Sequence, residues 1–491
     1  MTLIAFVVLY LLVSIAVGLY AATRVRNTAD YAVAGRSLPL AIIIATTFAT
    51  WFGSETVLGI PSKFVEGGLS KTVEDPFGAA LCLVLVGMFF ARKLYNMNLL
   101  TIGDFYRQRY GKGVEIFSSI VILISYLGWV AAQITALGLV FSLLSGGAIS
   151  TVQGMAIGTV VVLVYTLFGG MWSVALTDFF QMIIIVVGLT LIAYFASDLA
   201  GGAGKVIEYA QTKDMFHFFP EPTLNAWLFW LGAAITIMIG SIPQQDVFQR
   251  VMSAKNADTA VKGPIIGGIS YFVFAGVPMF IGLSAFLVMP EAAGELLKDD
   301  SQKILPILVL EHMPIWLQVF FFGALLSAIM STASATLLAP STTFVQNVLK
   351  NFVHMSDKQE LRYMRLTVFV FTVIVLGYSI RMEGTPIYEL VAKAYQFPVV
   401  GAFWPLVCGL YWKRSTKQGA VWSIVLGMAA WALLDFTPLG EVFPSVLGGF
   451  LLAALGQVIG SLLPTAGNRA HHAARLAHGG VHGTAHGAAH R

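Results

Sequence analysis

The chain has 491 residues, of which 57% are hydrophobic and 11% charged, with a mean hydropathy of +0.80 and a formal net charge of +4. Soluble domains carry roughly a quarter charged residues. The composition therefore excludes a globular enzyme and predicts an all-α polytopic membrane protein. The small net charge gives no reason to expect nucleic acid as a partner. Cys82 and Cys408 lie in apolar runs without CxxC or metal-ligand spacing, and we interpret them as packing residues.

Runs of roughly 15 to 30 apolar residues predict thirteen transmembrane helices. In chain order they are Thr2–Tyr20, Leu38–Ile60, Pro76–Phe90, Val114–Leu144, Thr151–Phe168, Thr177–Phe195, Asn225–Phe248, Pro264–Val288, Trp316–Val345, Leu366–Ile380, Ile387–Trp412, Ala420–Phe436 and Val446–Leu463. The first span lacks the basic start and cleavage site of a signal peptide, so we expect it to be retained. Lys and Arg are roughly three times as frequent on one set of alternate loops, which predicts N-out and C-in orientation.

The second predicted span is interrupted in its middle. After an ordinary apolar start it contains the run Thr50-Trp51-Phe52-Gly53-Ser54-Glu55, and Gly59-Ile60-Pro61 follows. Glycine and proline loosen or end a helix, and a carboxylate at membrane depth is costly unless it has a partner or lines a cavity. The stretch therefore predicts a broken helix that binds a small polar ligand or ion. The alternative is a kinked packing helix with an incidental Glu near the interface.

The seventh predicted span repeats this interruption, because Gly240-Ser241-Ile242-Pro243-Gln244-Gln245-Asp246 stands near its end. Two interrupted spans, five apart in order, are typical of transporters built from inverted repeats. We expect a transport core at 38–412, with repeats at about 38–198 and 225–412. Residues 1–37 (the first transmembrane helix and a cytoplasmic loop) and 413–463 (two C-terminal helices) are predicted additions.

The ninth predicted span contributes hydroxyl groups on one helix face. Ala328, Ser331 and Thr332 are three and four residues apart, so one carbonyl and two hydroxyls point the same way. Together with carbonyls freed by the break, for example those of Ala49 and Phe52, they would form a five-oxygen sodium site. The alternative is that small hydroxyl residues only allow tight helix packing.

Outside the spans, the external segments Ala196–Leu224 and Met289–Ile315 are long enough for short amphipathic helices over the mouth of the bundle. The tail at 464–491 is rich in Ala, Gly and His. Because this composition cannot form a core, we expect a disordered cytoplasmic tail. Weak binding of divalent metal by its histidines is the alternative.

Several motifs, agreeing in order and spacing, resemble the sodium:solute symporter family from about Tyr31 to Ala430. They are Tyr165–Ser173 (YTLFGGMWS) followed by Thr177–Gln181 (TDFFQ), Ala328–Thr332 (AIMST), and Tyr411–Arg414 (YWKR) with Gly419 and Ala420. The resemblance implies a LeuT-type 5+5 inverted-repeat core that works by alternating access.

The resemblance also implies ion sites. It places sodium at the carbonyls of Ala49, Phe52 and Ala328 and at the hydroxyls of Ser331 and Thr332. Some members bind a second sodium at positions matching Asp178, Ser331 and Ser334, but they carry serine where this chain has Ala335. Asp178 is alternatively a structural residue at a helix start after Thr177.

For the substrate, the chain is most similar to the choline branch of the family, which encloses its cation with tryptophans. Trp51 and Trp129 match two of these positions, whereas the third is Gln244. Glu55 is a candidate counter-charge, and it alternatively pairs with a lysine or lines the sodium route. A carboxylate or amino acid substrate stays open, and the candidate polar contacts are Gln133, Gln244 and Gln245.

The expected function is sodium-coupled symport, in which Na+ and one small polar organic solute cross a cell membrane together. Proton coupling in the same fold and a transporter-like sensor are the alternatives. No Walker A, GxSxG or HExxH pattern occurs, so we expect neither an enzyme nor a metal other than sodium. Glu389 and Lys393, four apart, predict an ion pair within the eleventh span. The oligomeric state is left open.

Overall fold

The computed structural model describes residues 2–464, and the secondary structure it assigns there is helical apart from one isolated β-bridge. The long or apolar helices are α1 (Thr2–Ala22), α2 (Leu40–Trp51), α3 (Glu55–Gly67), α4 (Val73–Asn96), α5 (Lys112–Leu144), α6 (Thr151–Leu199), α7 (Leu224–Gly240), α8 (Gln245–Ser253), α9 (Ala257–Val288), α10 (Ile315–Asn351), α11 (Asp357–Arg381), α12 (Ile387–Gly401), α13 (Phe403–Tyr411), α14 (Lys417–Asp435) and α15 (Ser445–Leu462). Except for Pro464, the predicted tail lies outside the described residues.

The number of membrane crossings depends on how the bent helices are counted. Within residues 2–464, 9 helices are long and apolar enough to cross a membrane, and the count rises to 12 if each bent pair is one span. The bent pairs are α2 with α3, α7 with α8, and α12 with α13. Each of the thirteen predicted spans falls on a helix. The fifth lies on the first part of α6, Thr151–Val164, which is apolar but shorter than the helices counted as crossings. Thirteen crossings and the N-out orientation stay predictions.

Helix α6 joins the predicted fifth and sixth spans into one element of 49 residues with a kink at Gly170. Gly170 has a φ of +51°, and a Cβ at this position would lie 2.5 Å from the Tyr31 carbonyl oxygen. Because the helix continues past Asp178, that residue does not stand at a helix start. The structural interpretation of Asp178 as a first-turn residue is therefore wrong.

Two predicted spans that are short for a crossing belong to longer helices. Pro76–Phe90 lies within the 24 residues of α4, and Leu366–Ile380 lies within the 25 residues of α11. The first turn of α11 is polar, and its start is determined by a capping box between Ser356 and Gln359 rather than by hydrophobicity. The apolar pattern therefore underestimates this helix.

The predicted external segments do contain short helices. Ala203–Thr212 lies in the first segment, and Pro290–Asp299 and Ile304–His312 lie in the second. The first buries Val206 and Ala210, one turn apart on one side, as expected of an amphipathic helix. Ile304–His312 instead buries most of its apolar residues and is not amphipathic.

Helix α2 lies in the middle of the bundle, where it packs against α6, α9 and α10. Leu38, two residues before this helix, forms the β-bridge with Ala254, the residue that follows α8. The Leu38 N–H donates to the Ser253 carbonyl (2.9 Å), and the Lys255 N–H donates to the Leu38 carbonyl (2.9 Å). The halves α2 and α8 of the two bent pairs are thus tied together at one end.

The predicted ion pair between Glu389 and Lys393 does not form. Glu389 pairs with Lys63 of α3 (3.0 Å), and Lys393 pairs with Asp435 at the end of α14 (3.1 Å). The side chain of Lys393 is 62% exposed, and its charge is paired by Asp435 rather than by a residue of its own helix. Each residue instead links α12 to a neighbouring helix.

Candidate functional site

The first bend separates α2 from α3 by 55° and leaves carbonyl groups without helical partners. Phe52 has non-helical dihedral angles (φ −87°, ψ +66°), and α3 begins only at Glu55. Among residues 2–464, no hydrogen-bond donor contacts the carbonyl oxygens of Ala49 or Phe52. Carbonyls freed in this way at membrane depth are available to coordinate a cation.

Helix α10 brings the predicted hydroxyls to this bend. The Thr332 hydroxyl donates to the Thr50 carbonyl oxygen (2.7 Å), next to Ala49. A Cβ at Gly53 would lie 2.6 Å from the Thr332 hydroxyl oxygen, so that oxygen faces the break itself. Ala328 lies one turn earlier on the same helix. Residues predicted to form one sodium site therefore come from two helices that are in direct contact.

The Ser331 hydroxyl is directed towards Asp178 of α6. Asp178 accepts hydrogen bonds from Ser331 (2.6 Å), Thr46 (2.5 Å) and Thr50 (3.3 Å). These three hydroxyls surround a carboxylate that is completely buried. Ser334, the other residue of the predicted second sodium site, donates instead to the Ser331 carbonyl of its own helix (2.9 Å). Ser331 thus contributes to the cluster through its side chain, and Ser334 does not contact Asp178.

Four of the predicted substrate residues lie together beside the same break. Glu55 accepts one hydrogen bond from the Trp129 indole N–H (2.9 Å) and one from the Gln133 amide (2.7 Å). The Gln133 oxygen accepts from the Ser54 backbone N–H (2.9 Å). Trp51 meets Trp129 edge to face, with ring centroids 6.0 Å apart. Glu55 takes part in no ion pair among the described residues, so the predicted pairing with a lysine is wrong.

Tyr395 of α12 completes an aromatic cluster that the sequence analysis missed. Its ring centroid lies 5.2 Å from that of Trp129 and 6.3 Å from that of Trp51. Tyr126 stacks on the other face of the site, 6.1 Å from Trp129. Tyr388 and Tyr395 are seven residues apart and so lie on one helix face. This spacing is a signal in the sequence that could have indicated Tyr395 as a site residue.

The two adjacent glutamines have different surroundings. The Gln244 amide donates to the Ser125 hydroxyl (2.8 Å), and Ser125 immediately precedes Tyr126 in α5. Gln245 instead accepts from the backbone N–H of Ile102 (2.8 Å), at the start of the helix Ile102–Tyr110. Gln244 therefore contacts the helix that carries Tyr126 and Trp129, whereas Gln245 holds a neighbouring helix.

The interior contains more carboxyl groups than basic groups. Four carboxyl groups are buried near the bent pairs α2 with α3 and α7 with α8, those of Glu55, Asp75, Asp178 and Asp246. Within residues 2–464, Arg250 is the one buried Lys or Arg, at 1% exposure. Burying unpaired charges is costly, so a bound cation would stabilise this arrangement.

A helical bundle whose broken helices meet at buried polar groups is typical of secondary transporters. The model of the sodium:solute symporter family matches residues 31–427. The high affinity choline transporter 1 of Homo sapiens is 29% identical over 441 residues, which is 87% of this chain and 75% of that protein. The high-affinity proline transporter PutP of Bacillus subtilis is 28% identical over 476 residues, which is 92% of this chain and 96% of that protein.

Solved structures give the same fold at low identity. A Na+-coupled sialic acid symporter, in a substrate-bound outward-open state, has a TM-score of 0.81 at 20% identity, covering 94% of this chain and 97% of that one. Mhp1, a nucleobase-cation-symport-1 family transporter, has a TM-score of 0.56 at 15% identity, covering 89% and 97%. The chain therefore belongs to the sodium:solute symporter family. It is a multi-pass membrane transport protein and not an enzyme.

Proposed function

We propose that the protein imports a small organic cation across the cell membrane by symport with sodium. The observation that carries the substrate class is the Glu55 carboxylate, which is 3% exposed and has no basic partner among the described residues. It stands beside the rings of Trp51, Trp129 and Tyr395. Aromatic faces with a buried carboxylate provide the environment that a quaternary or substituted ammonium group prefers.

A cavity of about 660 Å³ supports the same substrate class. Its lining includes the carboxylates of Glu74 and Glu441, together with Asp435, which is paired with Lys393. Gln396, next to Tyr395 in the chain, also lines it. An acidic lining raises the local concentration of cations and repels anions. We infer that this cavity is the entrance from the outside.

Sodium is proposed to bind at the carbonyls of Ala49, Phe52 and Ala328 and the hydroxyls of Ser331 and Thr332. The unpaired carbonyls at the break and the direct contact of α10 with α2 support this assignment. The same ion would hold α2 and α10 together and so order the adjoining substrate cluster. Each ligand then raises the affinity for the other by the same factor.

Alternating access is proposed to arise from two inverted repeats, at about 38–198 and 225–412. The bends of 55° between α2 and α3 and of 41° between α7 and α8 support this division. In such folds the scaffold moves around a site at the breaks. Asp178 with Ser331 is proposed as a second sodium position, and Ser334 would have to change rotamer to join it.

An amino acid is the second candidate substrate, because the similarity to the proline transporter covers 96% of that protein. The Trp51 indole N–H is buried and has no partner among the described residues. It is a donor available to a substrate carboxylate. A zwitterion would use it together with Glu55, whereas choline would use the aromatic rings and Glu55.

Uptake into proteoliposomes tests the proposal. Labelled choline, betaine, proline and lactate are supplied with an inward sodium gradient, an inward proton gradient, or neither. We expect choline to accumulate only with sodium, and we expect S331A combined with T332A to abolish accumulation. Ser341→Ala is the matched control, because the Ser341 hydroxyl bonds only to the Leu337 carbonyl of its own helix (2.8 Å).

The alternatives give different results in this assay. Accumulation of proline instead of choline would replace the substrate class and leave the sodium site. Uptake that follows the proton gradient and ignores sodium would refute sodium coupling. Binding without accumulation under either gradient would favour a sensor.

A further inference from the structure

A buried arginine connects the proposed ion site to the proposed substrate site. Arg250 lies on α8, and its guanidinium donates to the Thr50 hydroxyl (2.6 Å) and to the Asp246 carbonyl (3.0 Å). Its partners belong to different helices, since Thr50 is on α2. The guanidinium therefore connects α8, of the bent pair α7 with α8, to α2, of the bent pair α2 with α3.

On the ion side, Thr50 is the branch point of this network. Its hydroxyl accepts from Arg250 and donates to Asp178 (3.3 Å), while its carbonyl accepts from Thr332 (2.7 Å). Asp178 in turn accepts from Ser331. Ser331, through Asp178, and Thr332, through the Thr50 carbonyl, are thus connected to the residue whose hydroxyl Arg250 holds.

On the substrate side, Asp246 and Tyr126 continue the network. The Tyr126 hydroxyl donates to the Asp246 carboxylate (2.6 Å) and accepts from the Asp246 backbone N–H (2.9 Å). The Tyr126 ring stacks on Trp129, and Trp129 donates to Glu55. The orientation of Trp129 therefore depends on Asp246, which is one helical turn before Arg250.

A guanidinium is suited to this position for two reasons. It stays charged when buried, and its planar fork makes directed bonds to two different acceptors. Asp178 and Asp246 on either side offset the cost of burying it. An apolar side chain would serve for packing alone, but it would leave Asp178 and Asp246 buried without a nearby cation.

We propose that Arg250 is a positioning residue that couples sodium binding to substrate binding through Thr50 and Asp246. This inference rests on the proposed function, because it needs both sites. It predicts that the affinity of each ligand depends on the other only while the guanidinium bridge is intact. Coupling of this kind typically changes affinities by roughly 5- to 150-fold.

The test measures the coupling factor, defined as the ratio of the half-saturating sodium concentrations for choline uptake at low and at saturating choline. Arg250→Lys keeps the charge but loses the fork. Thr50→Val removes only the shared hydroxyl and keeps the carbonyl that accepts from Thr332. We expect both variants to bring the factor to within about twofold of one, while the wild type retains at least about fivefold.

Two controls separate coupling from general damage. Gln249→Met alters the same helix and removes hydrogen bonds to the Ala32 carbonyl (3.0 Å) and the Thr342 hydroxyl (3.2 Å), away from the bridge. It should retain the wild-type factor. The charge-balanced pair Arg250→Met with Asp246→Asn should lose coupling, because the bridge and not the net charge carries it.

The outcomes are decisive in each direction. Wild-type coupling in Arg250→Lys and Thr50→Val, or equal loss in Gln249→Met, would overturn the inference. If Arg250→Lys does not fold, Thr50→Val alone decides the matter. Wild-type choline uptake that is independent of sodium would refute the proposed function and, with it, this inference.

Discussion

Removing the charge of Glu55 should weaken substrate binding by a predictable amount. The carboxylate accepts from Trp129 at 2.9 Å and from Gln133 at 2.7 Å. A glutamine at this position has only one oxygen, so one of the two donors would face an NH2 group. These bonds lie within the protein, so losing one mainly lowers the free energy of unfolding, by about 1.5–3 kcal/mol. The effect on the substrate comes from the lost counter-charge. Removing one partner of a buried charge pair costs about 2–5 kcal/mol, so the KM for choline should rise at least about 30-fold.

Initial rates of choline uptake by Glu55→Gln in proteoliposomes would measure this change, with protein folding checked by thermal unfolding. Glu66→Gln is the control on the same helix, since Glu66 pairs with Lys63 (3.3 Å) and its side chain is 36% exposed. Exposed ion pairs contribute at most about 1 kcal/mol, so KM should change less than about fivefold in the control. If Glu55→Gln folds normally and its KM for choline is within threefold of wild type, the hypothesis that the Glu55 carboxylate faces the substrate is refuted.

Two further variants test the aromatic cluster and the close packing at the break. Tyr395→Leu removes one ring and should raise the KM for choline about 5- to 30-fold, which corresponds to the free energy of one desolvated cation–π contact. Tyr395→Phe keeps the ring, so its KM should stay within about threefold of wild type. Equal effects of the two variants on KM would contradict a cation–π contact. Gly53→Ala would place a Cβ 2.5 Å from the Glu55 carboxylate and 2.6 Å from the Thr332 hydroxyl, so both side chains would have to move. The half-saturating concentrations of choline and of sodium should therefore each rise at least about tenfold. Gly276→Ala, where a Cβ meets open space, should leave both constants unchanged.

The sequence by itself determined the class of the protein and the position of its breaks. Thirteen apolar runs all fall on helices, because the apolar length of a crossing is a local property of the chain. The interruptions after Trp51 and Gly240 are present as bends, because glycine and proline act on their own backbone. The motif Ala328–Thr332 was also visible, since residues three and four apart share a helix face.

The tertiary structure decided which side chains meet. Tyr395 joins Trp51 and Trp129 from more than 250 residues away in the chain. Lys393 pairs with Asp435 rather than with the glutamate one turn before it, although local spacing favoured the latter. Gln245 turns away from its neighbour Gln244 and supports another helix.

The same distinction explains Arg250, which lies two residues beyond the predicted seventh span Asn225–Phe248. In the fold it is 1% exposed and bonded to Thr50, 200 positions earlier in the chain. Helix spacing shows which residues share a face, but it does not show which helix that face meets. Contacts between helices depend on the bend angles and on the close packing of the whole bundle, and these are properties of the assembled chain.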